Sequence, residues 1–350
     1  MNTGNKHILD HGTVKVVDFG PFLDGSDREG VADAVLESFK TIGFVYLANH
    51  GLPHDKISSM FEWSKKLFDL PLEIKQLAPH PESGAHHRGY SAPGREAVKK
   101  RTHADREGSG PASGNGAAET ASDNVRRDIK ENFECGREDF EDMPNIWYPD
   151  GILPGFKEAC LEFYWILDKM EREILKALAL SFKLPDGYFL NFHANSENQL
   201  RLLHYPSVLA DVLEDKEASR IPAHSDYGTI TLLLQDDIGG LEVEDAHNPG
   251  TYASVPPIPD TLLVNAGDFL MRWSNDTIKS TVHRVRAPPS VDSKSGKVIP
   301  SRYSIPYFCG ADSSTVVDCI PSTWSEDRPK LYPPTSAGEY IKARLAANYA

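Results

Sequence analysis

Apolar residues in the N-terminal part of the chain switch between helical and strand-like spacing. They recur every three or four residues in two segments, 31–42 and 57–68, which predicts two amphipathic helices. Between these segments, Gly43 interrupts the pattern and the apolar run 44–47 predicts a short buried strand. This strand leads into the turn sequence Asn49-His50-Gly51. We therefore expect helices mixed with strand in this part of the chain.

The strongest helical pattern of the chain covers residues 154–184. Its apolar positions include Phe163, Ile166, Leu167, Met170, Ile174, Leu178 and Leu180. A helix that is apolar over so much of its surface must be largely buried, so we expect it to lie across the back of a sheet. Near the C-terminus, Ser336-Ala337-Gly338-Glu339 has the spacing of a capping box and predicts the start of a terminal helix.

After Asn198 the pattern changes to short apolar runs of the length typical of strands. The separators are rich in Gly, Pro, Asn and Asp, as in the segment 236–240. The predicted strands are 200–205, 229–235, 241–244, 262–264, 281–286 and 303–308. Many short strands with such separators are typical of a sandwich, a barrel or a jelly roll.

The segment 102–124 differs from the rest of the chain in composition. It contains no Val, Ile, Leu, Met, Phe, Trp or Tyr and consists mainly of Gly, Ser, Ala, Asp and Asn. Such a segment cannot bury enough apolar surface to offset the entropy lost on ordering it. We therefore predict a flexible surface insertion. With no internal repeat in the sequence, the remaining pattern favours one β-rich domain wrapped by helices.

The overall composition is that of a globular protein without a basic surface. The chain has 350 residues, of which 40% are hydrophobic and 25% charged, and its net charge is −14. This acidic total, without a long Lys/Arg block, argues against nucleic acid or anionic lipid as a partner. No apolar run approaches the ~18–20 residues of a membrane helix, and residues 1–10 lack the apolar stretch of a secretory signal.

Cysteine usage indicates a reducing compartment. The four cysteines are scattered, and no two of them form a CxxC pair. They are Cys135, Cys160, Cys309 and Cys319. This spacing argues against a zinc finger or a disulfide scaffold and favours packed, reduced thiols in a cytoplasmic protein.

Two histidines and an aspartate form a candidate metal site. In an extended chain, residues two apart point to the same side, so His224 and Asp226 can reach one ion. His-x-Asp alone is common by chance, but His283 lies in a second predicted strand far along the chain. Two imidazoles and one carboxylate are typical of non-haem Fe(II) oxygenases and leave positions open for exogenous ligands. A structural zinc site would fill four positions, usually with cysteine among them.

An arginine and a serine form a candidate anion site. Arg302 and Ser304 are two apart in a predicted strand and therefore share a face. A guanidinium is a planar, two-pronged donor for a carboxylate, and a neighbouring hydroxyl adds one more hydrogen bond. Because a buried unpaired arginine is costly, an inward Arg302 implies an anionic ligand or a protein carboxylate.

In this order, these elements resemble the Fe(II)/2-oxoglutarate-dependent dioxygenases of the isopenicillin N synthase-like family. The resemblance also includes sequence motifs outside the candidate ligands, and it spans roughly residues 14–345 apart from the insertion. These motifs are 39–51, 87–90, 128–131, 235–243 and 263–285. We accordingly interpret residues 1–350 as a single oxygenase domain. It comprises an N-terminal helical and α/β portion (14–185), a jelly-roll catalytic core (198–310) and a C-terminal segment with a helix (311–350).

The resemblance implies an α+β fold with a mainly β core, a double-stranded β-helix or jelly roll flanked by helices. It implies Fe(II) bound by residues matching His224, Asp226 and His283. It also implies that 2-oxoglutarate chelates the iron through its 1-carboxylate and 2-keto oxygen, while Arg302 and Ser304 hold its 5-carboxylate.

One co-substrate contact departs from the family pattern. Tyr205 lies where related enzymes often have a tyrosine that contacts 2-oxoglutarate. The common Asn-x-Tyr sequence of that strand is here Leu203-His204-Tyr205, so an amide contact is missing or supplied elsewhere.

The function implied is an oxidoreductase that uses O₂ and 2-oxoglutarate to oxidise a small organic molecule, with release of succinate and CO₂. Hydroxylation, desaturation and ring formation all belong to this chemistry, and by analogy we favour specialised-metabolite biosynthesis. No obligate protein partner is predicted.

Three alternatives stay open at this point. One is a 2-oxoglutarate-independent oxidase of the isopenicillin N synthase or aminocyclopropane-carboxylate oxidase type, in which the Arg302/Ser304 pair would hold a substrate carboxylate. The glutamine near the C-terminus that ligates iron in isopenicillin N synthase has no counterpart here, since the last glutamine is Gln235. The others are an ethylene-forming variant and a non-catalytic jelly-roll binding protein without redox iron.

Overall fold

The computed structural model describes residues 5–10, 12–82, 86–94, 129–214, 220–288 and 296–349. The predicted insertion 102–124 lies outside these residues. Within them, no helix is both long enough and apolar enough to cross a membrane.

Helices occupy the N-terminal part, the middle and the C-terminal end of the described chain. They are α1 (Gly20–Leu23), α2 (Arg28–Thr41), α3 (His54–Phe68), α4 (Leu72–Lys75), α5 (Phe156–Ser181), α6 (Ala210–Glu214), α7 (Asp268–Trp273) and α8 (Ala337–Tyr349). Two short 3₁₀ helices cover Phe189–Phe192 and Pro321–Thr323. The Ser336 half of the predicted capping box is present, since Ser336 Oγ accepts a hydrogen bond from the Glu339 amide at 3.3 Å.

The strands are short and most of them lie in the second half of the chain. The strands before the long helix are β1 (Ile8–Asp10), β2 (Val16–Asp18), β3 (Phe44–Ala48), β4 (Gly89–Ser91) and β5 (Glu131–Cys135). Those up to residue 266 are β6 (Gln199–Tyr205), β7 (Val208–Leu209), β8 (Ile221–His224), β9 (Ile230–Gln235), β10 (Leu241–Glu244), β11 (Tyr252–Ser254) and β12 (Thr261–Ala266). The last are β13 (His283–Val285), β14 (Val298–Ile299), β15 (Arg302–Cys309), β16 (Val316–Val317) and β17 (Thr335–Ser336).

Two sheets built from these strands form a jelly roll. Among the described residues, the larger sheet has nine strands in the order β1-β2-β3-β12-β9-β15-β6-β5-β4, and the smaller has four in the order β11-β10-β13-β8. Neighbouring strands in both sheets pair antiparallel except β2 with β3. Two-stranded ribbons pair β7 with β14 and β16 with β17. The fold is thus the predicted α+β jelly roll flanked by helices.

Side-chain alternation along the strands divides the core between the two faces of the larger sheet. Leu203 and Tyr205 of β6 pack inward with residues of the smaller sheet such as Val243 and Val285. Residues of the opposite parity, such as Leu202, pack outward with the helices. A period of two is the expected pattern for a sheet that is covered on both faces.

The long helix α5 covers the outer face of the larger sheet, as its apolar pattern predicts. It contacts α2 and α3 as well as β6 and β15. Phe156, at its start, packs against the rings of Trp63 and Phe133, with ring centroids 6.0 and 5.1 Å away. The four cysteines are all buried and free, which confirms the prediction of packed thiols.

Strand β5 and helix α7 were not predicted from the sequence pattern, for different physical reasons. In β5, Glu131 and Glu134 are buried although their charges suggest a surface position. Glu131 is compensated by an ion pair with Lys75 at 2.7 Å, and Glu134 by one with Arg201. Helix α7 spans six residues, which is too short to establish a periodic apolar face.

We expect Gly43→Ala to destabilise the fold more than the same change at Gly25. Both glycines have positive φ angles, +74° and +82°, at which alanine costs about 1–2 kcal/mol. A Cβ at Gly43 would also lie 2.9 Å from the carbonyl carbon of Lys279, in the segment before β13, whereas nothing lies within 4 Å of one at Gly25. Urea unfolding should show a loss for Gly43→Ala that is larger by at least about 1 kcal/mol. Equal losses would contradict this account.

Candidate active site

All six residues predicted to form the site line one cavity between the two sheets. These are Tyr205, His224, Asp226, His283, Arg302 and Ser304. They come from both sheets and from the turn after β8, so the site exists only when the two sheets pack together.

His224, Asp226 and His283 point their ligand atoms at one another. The Nε2 atoms of both histidines lie 3.8 Å from Asp226 Oδ1. The potential ligand atoms of all three residues lie within 4.8 Å of one another. His224 and His283 are opposite each other in the pairing of β8 with β13. The three side chains can therefore hold one divalent cation on one side, as the sequence spacing suggested.

Asp226 is held in this position by a turn that was not predicted from the sequence. Strand β8 ends at His224, so the alternation of an extended strand does not place Asp226. Backbone hydrogen bonds fix the turn instead: the amide of Asp268 donates to the Asp226 carbonyl at 2.8 Å, and Gly267 donates to Thr229 at 3.0 Å. The turn and the start of α7 thus hold the carboxylate beside the histidines.

Hydrogen bonds on the far side of each imidazole orient its Nε2 lone pair toward the cavity. His224 Nδ1 lies 2.9 Å from the carbonyl of Pro222, and His283 Nδ1 lies 3.1 Å from that of Thr281. Because a carbonyl can only accept, each Nδ1 carries the proton and donates it. The Nε2 atoms are then unprotonated in the neutral rings, which is the form that binds a metal ion.

The two oxygens of the Asp226 carboxylate have different roles, one structural and one facing the cavity. Its Oδ2 accepts hydrogen bonds from Thr231 Oγ1 at 2.6 Å and from Asn265 Nδ2 at 2.7 Å. Both donors belong to the larger sheet, on β9 and β12. Oδ1 is left facing His224 and His283.

The electrostatics of the site favour a carboxylate anion at Asp226 and a neutral imidazole at His224. Burial, together with the adjacent His283, lowers the pKa of His224 to about 4. Burial acts to raise the pKa of Asp226, but the two histidines and the hydrogen bonds from Thr231 and Asn265 outweigh it and lower that pKa. Since metal binding requires a deprotonated carboxylate and neutral imidazoles, the pKa shifts of His224 and Asp226 both favour it.

Arg302 and Ser304 form a buried cationic pocket beside Tyr205. Arg302 Nη1 lies 3.2 Å from Ser304 Oγ, and Nη2 donates to Gln235 Oε1 at 3.0 Å. Its Cζ lies 5.0 Å from the centre of the Tyr205 ring. Arg302 is 1% exposed, and no carboxylate in the described part of the chain forms an ion pair with it. This cation therefore calls for an anionic ligand.

The structure shows where the side chains of Leu203 and His204, which replace the first two residues of the family's Asn-x-Tyr, are placed. Leu203 lines the cavity where the family asparagine would be. His204 points to the other face of β6, where its ring stacks on Tyr303 with centroids 4.5 Å apart and Nδ1 contacts Glu131 Oε1 at 2.7 Å. Gln235 supplies an amide beside Arg302 instead.

Sequence reasoning did not identify the residues that hold the predicted ligands. Thr231 and Gln235 lie on the inward face of β9, and Asn265 is a polar residue within the apolar strand β12. A polar side chain at an inward position of a buried strand is the signal that could have identified them.

The cavity wall on β6 continues away from Arg302 to a second arginine. Arg201 lies four residues before Tyr205, about 13 Å along the strand, and both line the cavity. Its Cζ lies 5.3 Å from the ring centre of Phe308, and it forms an ion pair with Glu134 of the neighbouring strand.

A second group of possible metal ligands lies beside this arginine. It consists of His80, His87 and Glu134, with ligand atoms within 4.8 Å of one another. The carboxylate of Glu134 already pairs with Arg201 and accepts a hydrogen bond from Gln199 at 2.6 Å. The guanidinium next to it opposes binding of a cation, so this group has a weaker case as a metal site than the triad.

Family comparisons divide the chain into two matched regions. Residues 14–150 match the family described as non-haem dioxygenase in morphine synthesis N-terminal. Residues 196–311 match the 2OG-Fe(II) oxygenase superfamily. The second region contains all six residues of the predicted site.

Individual relatives resemble the chain over nearly its whole length. The 2-oxoglutarate-dependent dioxygenase frbA of Dothideomycetidae sp. (strain 11243) is 35% identical over 93% of this chain and 94% of its own. The proline hydroxylase buaE of Petromyces alliaceus is 35% identical over 96% of this chain and 99% of its own. The crystal structure of full-length Neurospora crassa T7H with alpha-KG and thymine superposes with a TM-score of 0.83, at 38% identity, over 97% of this chain and 99% of that one.

We expect Thr231→Val to weaken binding of a divalent cation by the triad by roughly tenfold or more. The change keeps the side-chain shape but removes the hydroxyl that donates to Asp226 Oδ2. The measurement is an anaerobic titration of metal-free protein with Mn(II), followed by electron paramagnetic resonance. Thr261→Val is the matched control, because the Thr261 hydroxyl donates to the Ile258 carbonyl and not to the triad. Equal Mn(II) affinities for both variants would contradict the role given to Thr231.

Proposed function

Because the chain belongs to the 2-oxoglutarate- and Fe(II)-dependent oxygenase superfamily, we propose that the cavity between its two sheets is the active site. The enzyme is an oxidoreductase of the dioxygenase class, and it uses Fe(II), 2-oxoglutarate and O₂. It oxidises a small organic molecule with release of succinate and CO₂.

His224, Asp226 and His283 are the proposed iron ligands. The observation that carries this assignment is that two imidazole Nε2 atoms lie 3.8 Å from one carboxylate oxygen inside the cavity. The donor set, two nitrogens and one oxygen, is the one that non-haem Fe(II) oxygenases use. When bound, Fe(II) supplies the redox chemistry with O₂ that no amino-acid side chain provides.

Arg302 and Ser304 bind the 5-carboxylate of 2-oxoglutarate in this proposal, and the Tyr205 ring borders that carboxylate. The support is that Arg302 is buried without an ion-pair partner among the described residues and next to the Ser304 hydroxyl. By holding this end of the co-substrate, the two residues orient its 2-oxo acid end toward the triad and fix the distance between them.

The substrate is proposed to lie at the other end of the cavity, against Arg201 and Phe308. This end lies about 13 Å along β6 from Tyr205, and it adjoins the triad because Phe308 pairs with Thr231, which contacts Asp226. Phe308 offers an apolar ring face, and Arg201, held by Glu134, offers hydrogen-bond donors. A small molecule with a carbonyl or carboxylate acceptor next to an apolar part fits this wall.

The enzyme is proposed to act in the cytoplasm on a small-molecule substrate. Four buried, free cysteines suit the reducing cytoplasm. A small-molecule substrate without an obligate protein partner suits a reaction centre enclosed between two sheets. A place in specialised-metabolite biosynthesis is supported by similarity to fungal dioxygenases such as frbA.

We expect His224→Ala and Asp226→Ala to abolish Fe(II) binding, 2-oxoglutarate chelation and substrate-dependent succinate release together. Each change removes one of three ligands, and the remaining two cannot hold the ion in the same geometry. The measurement is anaerobic titration of the Fe(II) protein with 2-oxoglutarate, in which chelation gives a weak visible charge-transfer band. The matched control is His247→Ala, whose imidazole lies in an exposed turn. A wild-type protein that binds iron without developing this band would favour the 2-oxoglutarate-independent oxidase.

We expect a screen of small amino acids and heterocycles, with proline and thymine included, to identify a compound that stimulates succinate release. The two named compounds are chosen because similar proteins are a proline hydroxylase and a T7H crystallised with thymine. For that compound, Arg201→Leu should raise KM by about tenfold or more, since a hydrogen bond to a charged group is lost. The affinity for 2-oxoglutarate should not change. A KM unchanged in Arg201→Leu would place the substrate elsewhere.

A further inference from the structure

A second guanidinium, that of Arg220, is buried behind the co-substrate pocket. Arg220 immediately precedes β8 and is 1% exposed. Its Nη2 donates to the carbonyl of Pro300, but Nε and Nη1 have no hydrogen-bond partner in the structure. No carboxylate among the described residues forms an ion pair with it. A buried arginine in this condition is costly, so its presence points to an anion that binds there.

Arg220 and Arg302 pack on the same aromatic ring. The Cζ atoms of the two arginines lie 5.7 and 5.0 Å from the centre of the Tyr205 ring. The backbone also joins them, since Pro300, which accepts the hydrogen bond from Arg220, is two residues before Arg302. Ile221, the residue after Arg220, lines the cavity together with Tyr205 and Arg302. Both guanidiniums therefore lie against a ring that lines this end of the cavity, Arg302 as a lining residue and Arg220 behind the wall.

Among the described residues, no carboxylate forms an ion pair with either member of this pair of charges. The Asp236 carboxylate lies close enough to attract both arginines electrostatically. Its oxygens accept hydrogen bonds from the backbone amides of Tyr303, at 2.5 Å, and Ile238, at 3.2 Å, and it forms no ion pair with either guanidinium. Burial, together with repulsion by Arg302, lowers the pKa of Arg220 to about 10, which still leaves it charged at neutral pH. The two guanidiniums thus lie around one ring of the cavity wall, and the Asp236 carboxylate near them is committed to the backbone.

We propose that Arg220 and Arg302 together bind the distal carboxylate of 2-oxoglutarate, so that Arg220 determines the specificity for a dicarboxylic 2-oxo acid. This inference rests on the proposed function, which places that carboxylate at Arg302. A carboxylate can accept about four hydrogen bonds. Arg302 and Ser304 supply only some of these donors, and Nε and Nη1 of Arg220 supply the others. A 2-oxo acid without the distal carboxylate leaves both guanidiniums unpaired and is rejected.

The test compares two ligands that differ only in the distal carboxylate. Anaerobic Fe(II)-loaded protein is titrated calorimetrically with 2-oxoglutarate and with 2-oxopentanoate, which has the same carbon chain but ends in a methyl group. The quantity of interest is the dissociation constant of 2-oxopentanoate divided by that of 2-oxoglutarate. We expect this ratio to fall by tenfold or more in Arg220→Leu and also in Arg302→Leu. A role confined to packing would weaken both ligands equally and leave the ratio unchanged.

Arg272→Leu is the matched control for the loss of such a side chain. Arg272 likewise donates to a proline carbonyl, that of Pro333 at 2.9 Å, and stacks on a tyrosine, with Cζ 4.7 Å from the ring centre of Tyr332. Unlike Tyr205, the Tyr332 ring does not line the cavity, so the ratio should equal that of the wild type. Arg220→Lys keeps the charge without the planar fork, and we expect a ratio between those of the wild type and Arg220→Leu. This variant also serves if the leucine variant does not fold.

The outcomes separate this inference from the proposed function. A wild-type ratio retained in both Arg220 variants but lost in Arg302→Leu would overturn the role of Arg220 and leave the Arg302 assignment intact. A wild-type protein that does not distinguish the two ligands would overturn both. A ratio that falls in Arg220→Leu, is intermediate in Arg220→Lys and is unchanged in Arg272→Leu supports the two-guanidinium site.

Discussion

The buried carboxylate of Asp226 is the interaction on which the rest of the site depends. It follows β8 of the smaller sheet, yet its Oδ2 is held by Thr231 and Asn265 of the larger sheet. The same carboxylate thus joins the two sheets and leaves Oδ1 facing both histidines. Because a buried carboxylate is tolerated only with such donors or with cations, the packing of the two sheets and the arrangement of the proposed metal ligands depend on the same hydrogen bonds.

Charge in the cavity is separated in a way that assigns each end to a different ligand. The triad presents one carboxylate and two imidazole nitrogens, which suits a cation. Arg302 and Arg220 present two guanidiniums without an ion-pair partner among the described residues, which suits an anion. If 2-oxoglutarate binds as proposed, with its 2-oxo acid end toward the triad, it satisfies both requirements because its distal carboxylate lies at its other terminus. In that case, electrostatic complementarity fixes the direction in which the co-substrate binds.

The sequence predicted the elements of the fold and the first layer of the site, but not the contacts between strands. Helical and alternating patterns identified α2, α5 and the main strands, because each depends on the spacing of residues close in sequence. His224, Asp226 and His283 were predicted as ligands because their types are diagnostic together, and the structure brings them to one cavity. The role of Thr231 could not be predicted, since it depends on the register that brings β9 beside the turn after β8. Arg220 was missed because its burial arises from packing on Tyr205 and Pro300, both distant in sequence.

The two arginines on either side of the triad also differ in a way that bears on the substrate. Arg201 is compensated by Glu134, which is directly opposite it in the pairing of β5 with β6. Arg302 has no such carboxylate among the described residues and requires an anion from outside the protein. The Arg201 end of the cavity is therefore electrically balanced before any ligand binds. A neutral substrate that accepts hydrogen bonds can bind there without leaving a charge unpaired, so charge fixes the identity of the co-substrate more strictly than that of the substrate.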